Sequence, residues 1–348
     1  MARDRRGSAA DGFRKIPDSG HRSRRPPRRY SRRVQMRRRV CLITTIGVLA
    51  GVFAYAGGSR GASGSPGART GGARGVRAGA PARRASASAV LVTPPRAPTT
   101  SWTVVAKVHG SPAAWLAERS GVTLMRLDQT LVHLTLHAGS SDGGVTGWTY
   151  GDQITPREIH LVVAAFNGGF RLSYHDVGFA SGGHVAVALK PGLASIVTYA
   201  DGTSNVGAWH NGVPSARKTV FSVLQNQLLL VDRGAAAATV TTCGTACWGN
   251  TIQSLTQVAR SGLGITATGQ LVWGAGEQLS PAALADALVS AGAVRAIELD
   301  INPDWVAGYL YVHRATGPAA VPVVPGQHGI AGELLAPYRR DFLAVVAN

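Results

Sequence analysis

Methionine and cysteine are scarce in this 348-residue sequence, at three residues each. Aromatic residues make up only 6 % of it, and 18 acidic residues stand against 36 lysines and arginines. Three cysteines exclude a disulfide-dense scaffold and a four-cysteine zinc site. Internal repeats, a phosphate-binding Walker motif, a G-x-S-x-G elbow and a zinc signature are all absent, which removes the reaction classes that depend on them. The shortage of acid is confined to one end of the chain. Residues 1–39 hold 15 Lys+Arg and 3 Asp+Glu, residues 59–98 hold 7 Arg and no acid, and residues 99–348 hold 14 Lys+Arg and 15 Asp+Glu. The net charges are +12, +7 and −1, so the basic character belongs to the N-terminal third. Nucleic-acid binding by the rest is therefore not expected. About 250 residues remain for folding, enough for one large domain with its own core.

Four segments are expected. Residues 1–39, with RRPPRRYSRR, read as a basic disordered cytoplasmic tail. Residues 40–58 (VCLITTIGVLAGVFAYAGG) carry no charge and read as one transmembrane signal anchor. Arginines on the N-terminal side place the tail in the cytoplasm and the following chain outside the cell membrane. The small-x-small run Ala54-Tyr55-Ala56 keeps open the alternative of a cleaved signal and secretion. Residues 59–98 form a Gly/Ala/Pro/Arg linker. Residues 99–348 form the extracytoplasmic domain. Cys41 lies in the apolar span. Cys243 and Cys247, four apart outside the cytoplasm, are read as a local disulfide, because no neighbouring His or Cys completes a zinc set.

Within the domain, apolar runs of strand length dominate. Trp102–Val108, Val122–Leu136, Ile159–Phe166, Val185–Leu189, Ser195–Tyr199, Asn205–Trp209, Tyr309–His313 and Phe342–Val346 read as strands, with Asp201-Gly202 as a hairpin turn. Ser111–Arg119 reads as a short helix. The expected class is α+β, a mixed strand-rich single domain with few helices, preceded by one transmembrane helix. His133 and His137 are four apart, but the apolar residues around them favour a strand over a helical metal pair.

The stretch around which the domain is organised is Ser280–Trp305, SPAALADALVSAGAVRAIELDINPDW. Ser280 is placed to cap a helix, Pro281 suits its first turn, and Leu284, Ala285, Leu288 and Val289 recur on one face. Gly292 ends the helix. Val294–Leu299 then reads as a buried strand that runs into acids, and Glu298 and Asp300 are spaced to point to one side of it. Carboxylates at the end of a buried strand are costly unless paired or used. Asp300, Asn302 and Asp304 imitate the first ligands of a calcium loop. Trp305 stands where that loop needs glycine and Tyr311 where it needs glutamate. No metal or other cofactor is expected, apart from a looser divalent-cation site near Asp300 as an alternative.

FNGGF at 166–170, ARSGLG at 259–264 followed by a T-x-G-Q-L hairpin, AIELD at 296–300 and Arg340-Asp341-Phe342 occur in that order. The set resembles the phosphodiester glycosidases, the family of the lysosomal uncovering enzyme, over roughly residues 150–348. One departure is plain. Members of that family continue the acidic strand as L-D-G-G-G-S, whereas this chain has Leu299-Asp300-Ile301-Asn302-Pro303-Asp304-Trp305. The resemblance implies a hydrolase acting on a sugar phosphodiester or a related bond in cell-envelope glycans. Glu298, Asp300 and Asp304 would be the catalytic carboxylates. Asn167, Gly168, Gly169 and Arg260 would bind substrate, with Arg260 as a planar fork on phosphate. A catalytically impaired glycan-binding protein, or a structural envelope protein, is the alternative.

Overall fold

The computed structural model describes residues 101–141, 147–175 and 177–348. The tail, apolar span and linker expected over residues 1–98 lie outside the described residues. Among the described residues, nineteen strands assemble into three sheets of eight, six and five strands. Helix is minor. Pro281–Ser290 has ten residues, and the other α-helical stretches have four each. The expected α+β mixture is therefore corrected to a sheet architecture with one substantial helix.

The transmembrane helix expected over residues 40–58 falls outside the described residues and is not found within them. No helix among the described residues is long and apolar enough to cross a membrane. Ten residues at 1.5 Å each span about 15 Å, half the hydrocarbon thickness of a bilayer.

Ser111–Arg119 is a strand, not the helix that its SPAAWLAER composition suggests. It pairs on one side with Thr103–Val108 and on the other with Val122–Leu127. A place between two partners in a sheet outweighs a modest helix preference.

The eight-stranded sheet carries Val258–Thr266 between Leu271–Leu279 and Ala293–Glu298. The helix Pro281–Ser290 connects the last two of these strands. The Ser280 hydroxyl accepts the Ala283 N–H at 3.1 Å, and Gly292 closes the helix at φ +95°. Leu284 and Leu288 pack on Leu124, Val272 and Ala296 across one face of the sheet. The opposite face, with Met125, Leu263, Trp273 and Ile297, meets Phe166, Leu343 and Val345 of the five-stranded sheet and Phe179, Ile196 and Leu224 of the six-stranded one. The three sheets thus share one core. Along Phe342–Ala347 the alternation is clean. Leu343 and Val345 face that core, while Phe342, Ala344 and Val346 face a second cluster with Tyr309, Tyr311 and Tyr338. Burial on both faces explains why these strands read as unbroken apolar runs.

His133 and His137 fall on the strand Val132–His137, and their imidazoles take different partners. The imidazole of His133 bonds the Asn348 side chain at 2.7 Å. His137 is fully buried, stacked on Phe342 and 3.2 Å from the Glu158 carboxylate. Thr135 and Thr155 donate hydroxyls to the same carboxylate at 2.6 and 2.7 Å. Burial alone would raise the pKa of Glu158. The hydrogen bonds from His137, Thr135 and Thr155, with the charge of His137, outweigh it and hold the carboxyl down at about 2. A depressed carboxyl stabilises the fold above its unfolded value of 4.5, and that stabilisation is lost as pH falls toward 2. Glu158→Gln is therefore expected to lower stability at pH 7 by roughly 2–3 kcal/mol, with the gap from the parent shrinking at pH 3. Urea unfolding of both proteins at the two pH values checks this. A gap that does not change with pH would rule the mechanism out.

Cys243 and Cys247 are joined by a disulfide with Cα atoms 5.6 Å apart. The bridge ties two four-residue helical turns, Thr239–Thr242 and Thr245–Trp248, just ahead of Gly249 and Asn250.

Candidate functional site

Two sheets end at one rim. The strand Val162–Asn167 of the five-stranded sheet runs into Gly168-Gly169, and Ala293–Glu298 of the eight-stranded sheet runs into Leu299-Asp300. Backbone bonds join them, since the Asp300 N–H donates to the Gly168 carbonyl at 3.0 Å. The Asn167 amide donates to the Ser261 hydroxyl at 2.8 Å, and that hydroxyl donates to the Asp300 carbonyl at 3.1 Å. The six-stranded sheet reaches the same place through Asn226. Its amide donates to the Glu298 carbonyl at 2.6 Å, and its side-chain oxygen accepts the Phe170 N–H at 3.4 Å.

The C-terminal strand supplies the fourth part. Asp341 is buried, and its carboxylate accepts the Gly169 N–H at 2.8 Å, while its backbone carbonyl accepts the Gly168 N–H at 3.0 Å. A Cβ on Gly168 would lie 2.1 Å from that carboxylate, which is why glycine occupies the position. Arg340 donates to the Gly169 carbonyl at 2.8 Å and to the Asp300 carboxylate at 2.9 Å.

The rim borders a cleft of about 240 Å³ whose walls include Phe170, Arg171, Asn250, Asp300, Asn302 and Trp305. Asp300 is the carboxylate on that wall. One of its oxygens accepts the Ile301 and Asn302 N–H groups at 2.7 and 2.9 Å, and the other faces Arg340. Burial pushes its pKa up, while the Arg340 charge and the backbone bonds pull it back.

The remaining sequence candidates fall into other roles. Arg260 and Glu298 lie behind the wall. Arg260 donates to the carbonyls of Leu279 at 2.8 Å, Trp248 at 3.1 Å and Thr256 at 3.2 Å, and pairs with Glu298 at 2.6 Å. It is 1 % exposed and its fork is filled by protein, so it is placed to position the segment 248–256 and not to hold a phosphate. Glu298 does not border the cleft, and its second oxygen is buried without a hydrogen-bond partner. Burial pushes the pKa of this carboxyl up, with the Arg260 charge and hydrogen bond opposing and Asp300 adding to the rise. Asn167 is spent on holding strands together, with its amide on Gly168 and Ser261 and its oxygen on the Ala307 N–H. Asp304 points outward, exposed, with its carboxylate 3.0 Å from His328. Asp300, Asn302 and Asp304 thus do not converge as cation ligands. No group of three or more His, Cys, Asp or Glu side chains that could hold a metal occurs among the described residues.

Arg171, Trp305 and Arg339 escaped the sequence reading as site residues. Arg171 directly follows FNGGF and Trp305 closes the acidic turn, so both stood within reach of the motifs. Arg339 stood beside the Arg340-Asp341-Phe342 signal.

No family model matches the sequence, and no curated protein matches it. Among solved structures, the catalytic domain of zebrafish N-acetylglucosamine-1-phosphodiester alpha-N-acetylglucosaminidase, auto-inhibited by its pro-peptide, is similar at 13 % identity and a TM-score of 0.41, over 73 % of this chain and 85 % of that one. A hypothetical protein from Synechocystis is similar at 12 % identity and a TM-score of 0.40, over 73 % of this chain and 64 % of that one. A protein of Burkholderia pseudomallei described as exported is similar at 11 % identity and a TM-score of 0.36, over 68 % and 75 %. Likeness of this degree is a distant structural resemblance to a hydrolase domain and assigns no family.

Proposed function

We propose that the chain is a hydrolase that cleaves a sugar phosphodiester at the anomeric carbon. The observation that carries this reading is Asp300, a buried carboxylate on the wall of a cleft that also presents Arg171 and the ring of Trp305. An aromatic face suits a sugar ring, and an arginine suits a phosphate. In the reaction the bond from the anomeric carbon to the phosphate oxygen breaks. The phosphate leaves with the bonding electrons, water adds its oxygen to the carbon, and its proton is released. A phosphate monoester leaves readily, so no carboxylic acid has to protonate it. Asp300, ionised, faces the positive charge that builds on the sugar. The local Cys243–Cys247 bridge fits a protein working outside the cytoplasm, where envelope glycans would be within its reach.

Glycan binding without turnover is the second reading. The cleft has a single carboxylate, both of its oxygens already have partners, and Glu298 and Asp304 are elsewhere. A panel of sugar-1-phosphate methyl diesters, incubated with the full chain, separates the two. Release of free sugar supports the hydrolase. Saturable binding without release supports the second reading, and neither outcome with any sugar defeats both.

A further inference from the structure

A second cavity of about 170 Å³ adjoins the first and shares Arg171 and Trp305 with it. The rest of its lining is Ser141, Ser173, Arg339 and Arg340, with no carboxylate among the described residues. Arg340 is already committed to Asp300 and lies 3.6 Å from Asp341. Arg339 is exposed and makes no ion pair among the described residues. Its backbone is fixed, because its carbonyl accepts the Ser141 N–H at 3.0 Å and the preceding Tyr338 carbonyl accepts the Ser140 N–H at 2.9 Å. An arginine held on rigid backbone, facing a cavity with two serine side chains and no acid among the described residues, suits an anion with several oxygens.

The two cavities therefore lie side by side, with different chemistry in each. The first has amide, carboxylate and aromatic groups that suit a neutral sugar. The second has cationic and hydroxyl groups. Their common wall carries Arg171, where the phosphodiester between sugar and aglycone would lie.

We infer that the second cavity is an aglycone subsite for a second anionic group, so that the substrate is a sugar phosphodiester whose aglycone itself carries phosphate, as in a polymer with phosphate at every repeat. The inference rests on the proposed function for the position of the sugar, and its own content is the charge beyond the first phosphate.

The test compares two probes on the full chain by calorimetry: N-acetylglucosamine 1-(methyl phosphate), and the same compound with methyl replaced by 2-phosphoethyl. The doubly anionic probe is expected to bind at least about fivefold more tightly at 0.1 M salt, a modest ratio because the subsite is open to solvent and screened. In Arg339→Gln the ratio of the two affinities is expected to fall close to one. Equal affinities in the parent would overturn the inference and leave the proposed function standing. A ratio that survives Arg339→Gln would overturn it too, since the second charge would then be read elsewhere. Tight, Arg339-dependent binding without hydrolysis would uphold the subsite and defeat the hydrolase reading. Failure of both probes to bind would overturn the inference and leave the proposed function to the wider panel of sugars.

Discussion

Asp300→Asn is expected to lower turnover of a sugar-1-phosphate diester by about a hundredfold or more, the usual scale for a carboxylate acting directly in the transition state. The asparagine oxygen can still accept the Ile301 and Asn302 N–H groups that shape the turn. Its amide would face Arg340 where the carboxylate now accepts at 2.9 Å, so some local loosening is also expected. Two measurements keep these effects apart. Substrate binding by the variant should stay within a few-fold of the parent, because the proposed sugar and phosphate contacts are assigned to Trp305 and Arg171. Turnover of the parent should fall on acidification at a higher pH than an ordinary aspartate would give, because burial raises the pKa of Asp300. Unchanged turnover in Asp300→Asn would end the catalytic assignment, whatever the cleft binds.

Arg260→Ala is expected to act on the whole fold. It would leave Glu298 buried at 1 % exposure without its partner and take from three backbone carbonyls the donor that Arg260 supplies. Breaking a buried pair from one side costs about 3–5 kcal/mol, which in a domain of this size lowers Tm by about 10 °C. Removing both charges, as in Arg260→Met with Glu298→Met, should recover a large part of that loss, since a matched apolar pair leaves no orphaned charge. A melting temperature for Arg260→Ala within about 3 °C of the parent would show that the pair is not structural, and would return Arg260 to the role of a ligand.

These two residues also show what was legible beforehand. The sequence marks where strands stop and acids begin, because buried strands announce themselves as apolar runs and their ends as glycine, asparagine and aspartate. It does not mark which side of the wall each polar residue takes. Glu298 and Asp300 share a parity on paper, yet the strand ends at Glu298 and the chain then bonds to Gly168, which sends one carboxylate to the interior pair and the other to the cleft. Arg260 looks like a ligand until three carbonyls from other segments are brought to its fork. Ser111–Arg119 has helix-favouring residues and becomes a strand because two partners flank it. Arg171 and Arg339 come together only through the pairing of Phe342 with Asn167, a contact between distant parts of the chain. Each of these outcomes is set by tertiary neighbours, which local pattern does not encode.

The strand Phe342–Ala347 lies inside the five-stranded sheet, between Val162–Asn167 and Val132–His137. A segment made this late in synthesis separates two that are made much earlier. Until it emerges, each of those two strands has an open edge, and the carboxylate that anchors Gly169 has not been translated. The nascent chain must therefore wait with unpaired strands, a slow, high-contact-order assembly exposed to aggregation. Folding assistance should matter most in that interval, and ligand binding should switch on only once the last strand has threaded into its gap.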